Sequence, residues 1–496
     1  MRTIYGEASR RLVIGVFMAA LFGVPDMGCG GEQCNGIQPP ALNLVTAAYA
    51  ATGVSDVATI PNNPYLANSP WPVSHANGYA QDSSPLPGIS ASRASNATEQ
   101  LVLTAPVPIN PVQSGQYPDG SRAVWYADQT GVGKIALANG VFSSVARIPT
   151  SAMGVSGNTV LSAAYNLVDS DNIFYVAYGA SIIALRDATP NASSASASLI
   201  AVAGQFAAPL PSDDTIAGLN MTYDGFLAYT SARGVIGVVS RSFAHGATVA
   251  AQHVTLPNAP TVRNSIAVDE LGGIYVVTNT TMNRVTWDGS RLSRNAADGA
   301  WSSTYEGGAY GSGSTPTLMG LPDAADRLVV ITDGLEPMNI VAFWRDTLPT
   351  FATGRIAGSK TVSFRNGQSQ QSVVVGGYGA VVVNNTVHRL TPTPYGMQKF
   401  VWSTTTHSWS SAWINTSISV PNGLPCLSTA SGIVYAVAYD ATSSNWSLAL
   451  VDWNTGAMLF IPYASGPDGD SAGSGVSIGD DGAVLSGTVS GVEYWQ

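Results

Sequence analysis

Amide and hydroxyl side chains recur along this 496-residue chain at intervals close to fifty residues. Asn166, Asn220, Asn264, Thr315, Gln371 and Asn422 each stand ahead of an apolar run, and Ser114 and Gly475 hold comparable places. Brought together, the six side chains would offer a ligand a ring of oxygens and N–H donors. Calcium takes oxygen ligands, amide carbonyls included, so Asn220, Asn264 and Asn422 are also candidates for a calcium site. The structural alternative is that these amides satisfy backbone groups and tie one repeat to the next. General acid–base chemistry needs paired carboxylates. Glu306, Asp333 and Glu336, which flank or fall within the Gly-rich stretch that begins at Gly311, are the candidate catalytic residues. The histidines, His75, His245, His253, His388 and His407, are too scattered for a zinc ligand set.

The elements that must position these residues follow from their spacing. From Ser114 to Gly475 the steps are 52, 54, 44, 51, 56, 51 and 53 residues, the cadence of a β-propeller blade. Each repeat carries a Gly or Asp turn and then a strand-like run, such as Ile173-Phe174-Tyr175-Val176 or Ile274-Tyr275-Val276-Val277. No stretch shows a sustained helical period. The expected fold is all-β: a single propeller of eight four-stranded blades, or seven if the repeat at Ser114 or Gly475 is a coincidence. The last repeat offers two evident strands, near residues 475–478 and 483–486. The run Glu99–Thr104 is expected to complete that blade and close the ring, because an open edge invites aggregation.

Composition fits such a fold and excludes one partner class. With 45% hydrophobic and 10% charged residues, 52 Gly and 29 Pro, the chain can fill a large core and turn often. Its formal charge is −10 and its lysines are Lys134, Lys360 and Lys399, so no basic face exists to neutralise phosphates. Nucleic acid is not an expected partner.

The amino terminus reads as a targeting segment. Arg2, Arg10 and Arg11 precede an apolar run from Leu12 to Val24, too short to span a bilayer as a finished helix. Small residues follow at Gly28-Cys29-Gly30-Gly31, and the whole resembles a bacterial lipoprotein signal, which implies lipidation of Cys29. Asp26 departs from the apolar residue usual there. Cys34 and Cys426 then either pair or stay free, or Cys29 and Cys34 close a small loop. The expected organisation is a signal peptide over 1–28, a flexible tether over 29–68 and the propeller over 69–496.

Ser69-Pro70-Trp71-Pro72-Val73-Ser74-His75-Ala76-Asn77 resembles the Trp-Pro opening segment of pyrroloquinoline-quinone-type (PQQ-like) propellers. Leu450-Val451-Asp452-Trp453-Asn454-Thr455-Gly456-Ala457-Met458-Leu459-Phe460 is similar to their blade-docking repeat, with Phe for the final Trp. The adjacent cysteines of the quinone alcohol dehydrogenases are missing, so the resemblance implies the scaffold without the redox activity. Asn264-Ser265-Ile266-Ala267-Val268-Asp269 resembles a strand start of the gluconolactonase and paraoxonase propellers, which hold calcium in the tunnel. Asp269, Asp119 and Asp224 occupy comparable places and suit turns. Two functions emerge. One is an exported, membrane-tethered scaffold of the periplasm or outer cell envelope, which binds a protein or small molecule at a polar tunnel mouth. The other is a calcium-assisted lactonase or esterase. The chain is expected to be a monomer that meets a membrane through its lipid anchor alone.

Overall fold

The computed structural model describes residues 60–94, 96–104, 107–156, 163–309, 311–385, 393–460, 464–466 and 468–496. The signal segment and its cysteines lie outside the described residues. Second strands such as Phe174–Tyr178 and Leu328–Thr332 are Val, Ile and aromatic-rich and buried at every position. Such runs need neighbours on both faces. Outer strands such as Ile200–Ala207 alternate in exposure and face water.

Stacking these sheets face to face gives a propeller of eight blades. Blades 1 to 7 span residues 109–149, 166–207, 216–255, 267–304, 317–361, 374–419 and 426–466. Blade 8 comprises residues 476–495 together with the strand Glu99–Leu103. In blades 1 to 6 the first strand in sequence is innermost; in blade 7 the short strand Ser83–Ser84 runs parallel inside Cys426–Ser428, and in blade 8 Val476–Ile478 is innermost and Glu99–Leu103 outermost.

The ring closes as the repeats imply. Glu99–Leu103 pairs antiparallel with Gly491–Trp495, from Glu99 opposite Trp495 to Leu103 opposite Gly491. Blade 8 has a third strand of its own in Gly491–Trp495, where the sequence showed two, because glycine and glutamate interrupt its apolar pattern.

Aromatic residues fill the seams between blades. Trp125 of blade 1 stacks on Phe174 of blade 2 at 5.2 Å, and Trp301 of blade 4 on Phe343 of blade 5 at 6.3 Å. Turn carboxylates add a second class of seam. Asp169 of blade 2 accepts Tyr175 Oη at 3.0 Å and Arg241 of blade 3 at 2.6 Å. Asp224 of blade 3 accepts Trp287 Nε1 of blade 4 at 2.8 Å, and Asp326 of blade 5 accepts Trp402 Nε1 of blade 6 at 2.7 Å. In the docking-like segment of blade 7, the Trp453 carbonyl accepts Lys399 Nζ at 3.0 Å and Trp413 Nε1 at 2.8 Å, both from blade 6. Gly272 is required at its turn: φ is +75°, and a Cβ there would sit 1.9 Å from the Trp287 carbonyl oxygen.

Two sequence boundaries move. Residues 60–68, assigned to the tether, pack on the body: Asn63 Nδ2 donates to Met221 O at 2.8 Å, and Ala67 N to Val168 O at 3.0 Å. The Trp71–Asn77 segment opens no blade and runs inside the ring. Polarity and proline read as tether because these residues bond to other strands' edges and form no sheet of their own.

Val102, 8% exposed in the closing strand, tests the closure. Val102→Asp should cost about 3 kcal/mol in urea unfolding, since it buries a carboxylate in the blade 8 seam. Leu103→Asp on the same strand, at a residue 77% exposed, should change stability by no more than about 0.5 kcal/mol. Equal effects would mean that the strand does not fasten the ring.

Candidate functional site

A propeller's innermost strands turn one edge toward the axis, and their N–H groups need partners. Here the chain's own residues 66–84 supply them. Carbonyls of Trp71, Pro72, Gly78, Tyr79, Gln81 and Asp82 accept, in that order, the N–H groups of Gln113, Val168, Val268, Leu318, Val375 and Leu427, at 2.7 to 3.0 Å. Those donors belong to blades 1, 2, 4, 5, 6 and 7. The segment therefore travels once around the inside of the ring and fills its axis. Blade 3 joins through Asn220 Nδ2, 3.3 Å from Gly78 O. Carbonyls that radiate outward from so tight a path force left-handed backbone at His75, Ala76, Ala80 and Asp82, with φ from 52° to 73°. Each such residue is disfavoured intrinsically and persists because its surroundings hold it.

Side chains fix this plug further. His75 Nδ1 lies 2.9 Å from Asp82 Oδ2, and His75 Nε2 lies 3.0 Å from Thr315 Oγ1. Hydroxyl, imidazole and carboxylate stand in the order of a nucleophile relay. Yet Thr315 and Asp82 are 1% exposed and His75 6%, so the trio is sealed and pins the plug to blade 5. Burial raises the Asp82 carboxyl above its usual range, opposed by His75. Burial likewise raises the Cys426 thiol, which lies beneath the same turn and has no disulfide partner among the described residues. On the other side Tyr79 Oη donates to Glu270 at 2.6 Å, and its ring lies 5.0 Å from the buried Arg345 guanidinium. Arg345 in turn approaches Asp346 at 3.5 Å and Asp269 at 4.0 Å.

The anchor residues lie along one rim of the inner strands, and each is engaged across a seam. Asn166 Nδ2 donates to Ile109 O of blade 1 at 3.4 Å, and Asn220 Nδ2 to Ile266 O of blade 4 at 2.9 Å. Asn264 Nδ2 donates to Ser312 O at 3.4 Å, and Gln371 Nε2 to Asn422 O at 3.3 Å. Asn422 Nδ2 donates to both oxygens of Asp470, at 2.9 and 3.0 Å. Thr315, the sixth, bonds the plug. Of the two readings open at sequence level, this geometry is the blade-tying one.

Calcium at Asn220, Asn264 and Asn422 does not fit. The three belong to blades 3, 4 and 7, the plug lies between them, and Asn220 Oδ1 already accepts Met221 N at 2.8 Å. Among the described residues, no three His, Cys, Asp or Glu side chains gather as a metal-holding group.

Two rim residues escaped the sequence reading. In blade 1 the anchor is Asn110, not Ser114: its Nδ2 donates to Ala164 O of blade 2 and its Oδ1 accepts Gly475 N of blade 8, both at 2.8 Å. The signal existed, since Asn110 precedes Asn166 by 56 residues. The second is Asp470, 48 residues after its partner Asn422 and five before Gly475, the residue that the sequence spacing took as the anchor.

The candidate carboxylates do not converge as a set. Glu306 lines a cavity of about 520 Å³ between blades 4 and 5, with Arg263, Asn279 and Leu335. Asp333 is 2% exposed and caps its own turn, accepting Asn339 N at 2.8 Å and Leu335 N at 3.2 Å. Burial raises its proton affinity, and the Glu306 charge adds to that. Glu336 turns toward blade 6, where it accepts Gln368 Nε2 at 3.0 Å. Asp119, Asp224 and Asp269 serve turns as expected, and Asp269 also faces Arg345.

The fold is that of an eight-bladed β-propeller. A europium-containing methanol dehydrogenase superposes with a TM-score of 0.59 at 12% identity, over 87% of this chain and 98% of that one, a likeness of fold alone. The Dos1 propeller, at 0.46 and 10% identity over 80% and 94%, is a looser likeness that carries no argument. No family description matches the chain. An uncharacterized protein of Archaeoglobus fulgidus is 33% identical over 477 residues, covering 87% of this chain and 88% of its own length, and the chain belongs to that protein's family. Pyrroloquinoline quinone at the axis does not fit, since Trp71 to Ser84 occupy that space.

Asp470 gives a pH test. Burial lifts its carboxyl to about 6, against hydrogen bonds from Ala472 N and Asn422 that lower it. The native state then holds this proton more tightly than the unfolded chain does. Its contribution to stability is present below the unfolded carboxyl range near pH 4 and is lost as pH rises through 6. Unfolding free energy should fall by up to about 3 kcal/mol between pH 4 and 7.5 from this group. Asp470→Asn should flatten that fall, as read by urea titrations at the two pH values.

Proposed function

We propose that the protein is an exported, membrane-tethered propeller that works as a binding or assembly scaffold of the cell envelope. The observation that carries this reading is the engaged axis: backbone carbonyls of the plug occupy the inner strand edges, and the rim amides bond across seams. Such a ring is rigid, and its two broad faces and loops are what remain to bind a partner. A lipid on Cys29 with the following polar stretch would hold that body near a membrane surface. The lactonase or esterase reading draws on Glu306 beside Asp333, but its calcium amides are held apart by the plug.

Two measurements separate the readings. The thermal midpoint of purified protein should be unchanged by calcium or by chelator; a calcium-dependent rise would restore the hydrolase reading. In a bacterial host, the full chain should partition with membranes and Cys29→Ser should move to the soluble exported fraction. Equal partitioning of the two would overturn the tether.

A further inference from the structure

The outer strand of a blade leaves one row of backbone N–H and C=O groups unpaired, and such an edge pairs with another chain unless something prevents it. Among the described residues, seven of the eight blades carry a safeguard. A charge stands in the outer strands of blades 1, 5 and 8, at Arg147, Lys360 and Glu99. The outer strands described in blades 4 and 7 are pieces of two to four residues. Blade 3 offers five residues, Ala251–Thr255, and Arg294 Nη1 donates to the last carbonyl. In blade 2 the uncharged strand Ile200–Ala207 is mostly half-buried, with Gly204 close against the Phe243 carbonyl of blade 3.

Blade 6 has none of these. Its outer strand, Ser408–Ser419, runs for 12 residues, the longest strand described, and contains no charge, proline or glycine. No Asp, Glu, Lys or Arg stands anywhere between Lys399 and Asp440. A bulge at Ala412 interrupts the strand, as bulges interrupt those of blades 1, 2 and 5, but Ser408–Ser411 keeps regular register with Phe400–Ser403. Among the described residues, the backbone of Ser408–Ile414 makes no hydrogen bond outside its own blade. The wall beside this edge is apolar too. Phe351 of blade 5, 56% exposed, stacks at 4.3 Å on His407, the residue before the strand, and Ile414 within it is 41% exposed.

A mate for this edge must be extended and uncharged, and the same strand of a second copy is both. Antiparallel pairing of a strand with itself is two-fold symmetric, so each copy satisfies the other. Two chains of formal charge −10 repel, and they approach at least cost where neither displays an acid. We infer that two copies of the protein join edge to edge through Ser408–Ser419 of blade 6, in place of the monomer read from the sequence. The inference rests on the scaffold reading and names a second copy as the partner assembled. One strand edge buries little area, so the contact is weak in solution and gains from holding copies on one surface. Calcium independence and membrane partitioning do not depend on it, so the two readings fail separately.

The test is sedimentation velocity of the full chain carrying Cys29→Ser, so that lipid contributes nothing to association. Dimers should appear and their fraction should rise between about 1 and 500 μM. Ile414→Lys sets like charges beside the paired edges and should weaken the dimer by about tenfold or more with an unchanged melting midpoint. Ala412→Lys, at an exposed residue of the bulge, is the second variant and should act the same way. Val202→Lys, 40% exposed on the outer strand of blade 2, should leave the dimer intact. Amide hydrogens of Ser408–Ile414 should exchange more slowly at the high concentration than at the low one. A monomer at every concentration, a dimer that both blade 6 variants leave intact, equal loss with Val202→Lys, or a dimer without slowed exchange at these amides would overturn the assignment.

Discussion

The unpaired inner edge of each blade is the constraint on which this molecule turns. Eight strands that face a common axis leave rows of N–H groups, and buried backbone donors must find acceptors. Water in a channel would serve. This chain uses itself: residues 71–82 offer carbonyls to six blades in ring order. The left-handed turns at His75, Ala76, Ala80 and Asp82 follow from that geometry. So does the sealing of the His75, Asp82 and Thr315 trio, whose chemistry is withheld from solvent by the segment it holds in place.

Around that plug, the seams are built from a small vocabulary. Aromatic stacks supply apolar burial, turn carboxylates reach a cation or indole on the next blade, and rim amides reach the next blade's backbone. Charge is sparse, and the buried Arg345 sits among Tyr79, Asp269 and Asp346. Such groups are expensive to bury alone and tolerable together. Their arrangement around the plug's Tyr79 makes the axis the most constrained part of the protein and leaves the faces to vary.

The architecture was legible because blades repeat. Each buries its second strand on both faces, so an apolar run returns with every blade, and the closing strand at 99–103 could be found from the need to cover an edge. The rim amides were legible as a ring for the same reason. What they do was not: whether Asn264 faces a ligand or Ser312 O depends on the approach of a neighbouring blade, which periodicity does not encode. The plug was hidden in residues that look like linker, because its bonds are made to other strands' edges and leave no period of their own. Asp470 was hidden because it is a carboxylate in the connection ahead of the eighth blade, where the recurring residue type had been an amide or hydroxyl. The loops that carry Glu306, Asp333 and Glu336 vary in length between blades, and their separation has no signature in the chain.

The residues that fill the axis and those that fasten the ring are close neighbours in sequence, at 66–84 and 99–103, whereas the fastening partner Gly491–Trp495 belongs to the eighth blade. Glu99 and Trp495, paired in the sheet, are 396 positions apart. As the polypeptide emerges from its amino end, intermediate blades can assemble from local contacts, but the first-made segment must wait for the final one. Such distant pairing makes a slow closing step. The latch therefore joins the two ends of the blade series, and the circle can be fastened only after the blades between them have formed.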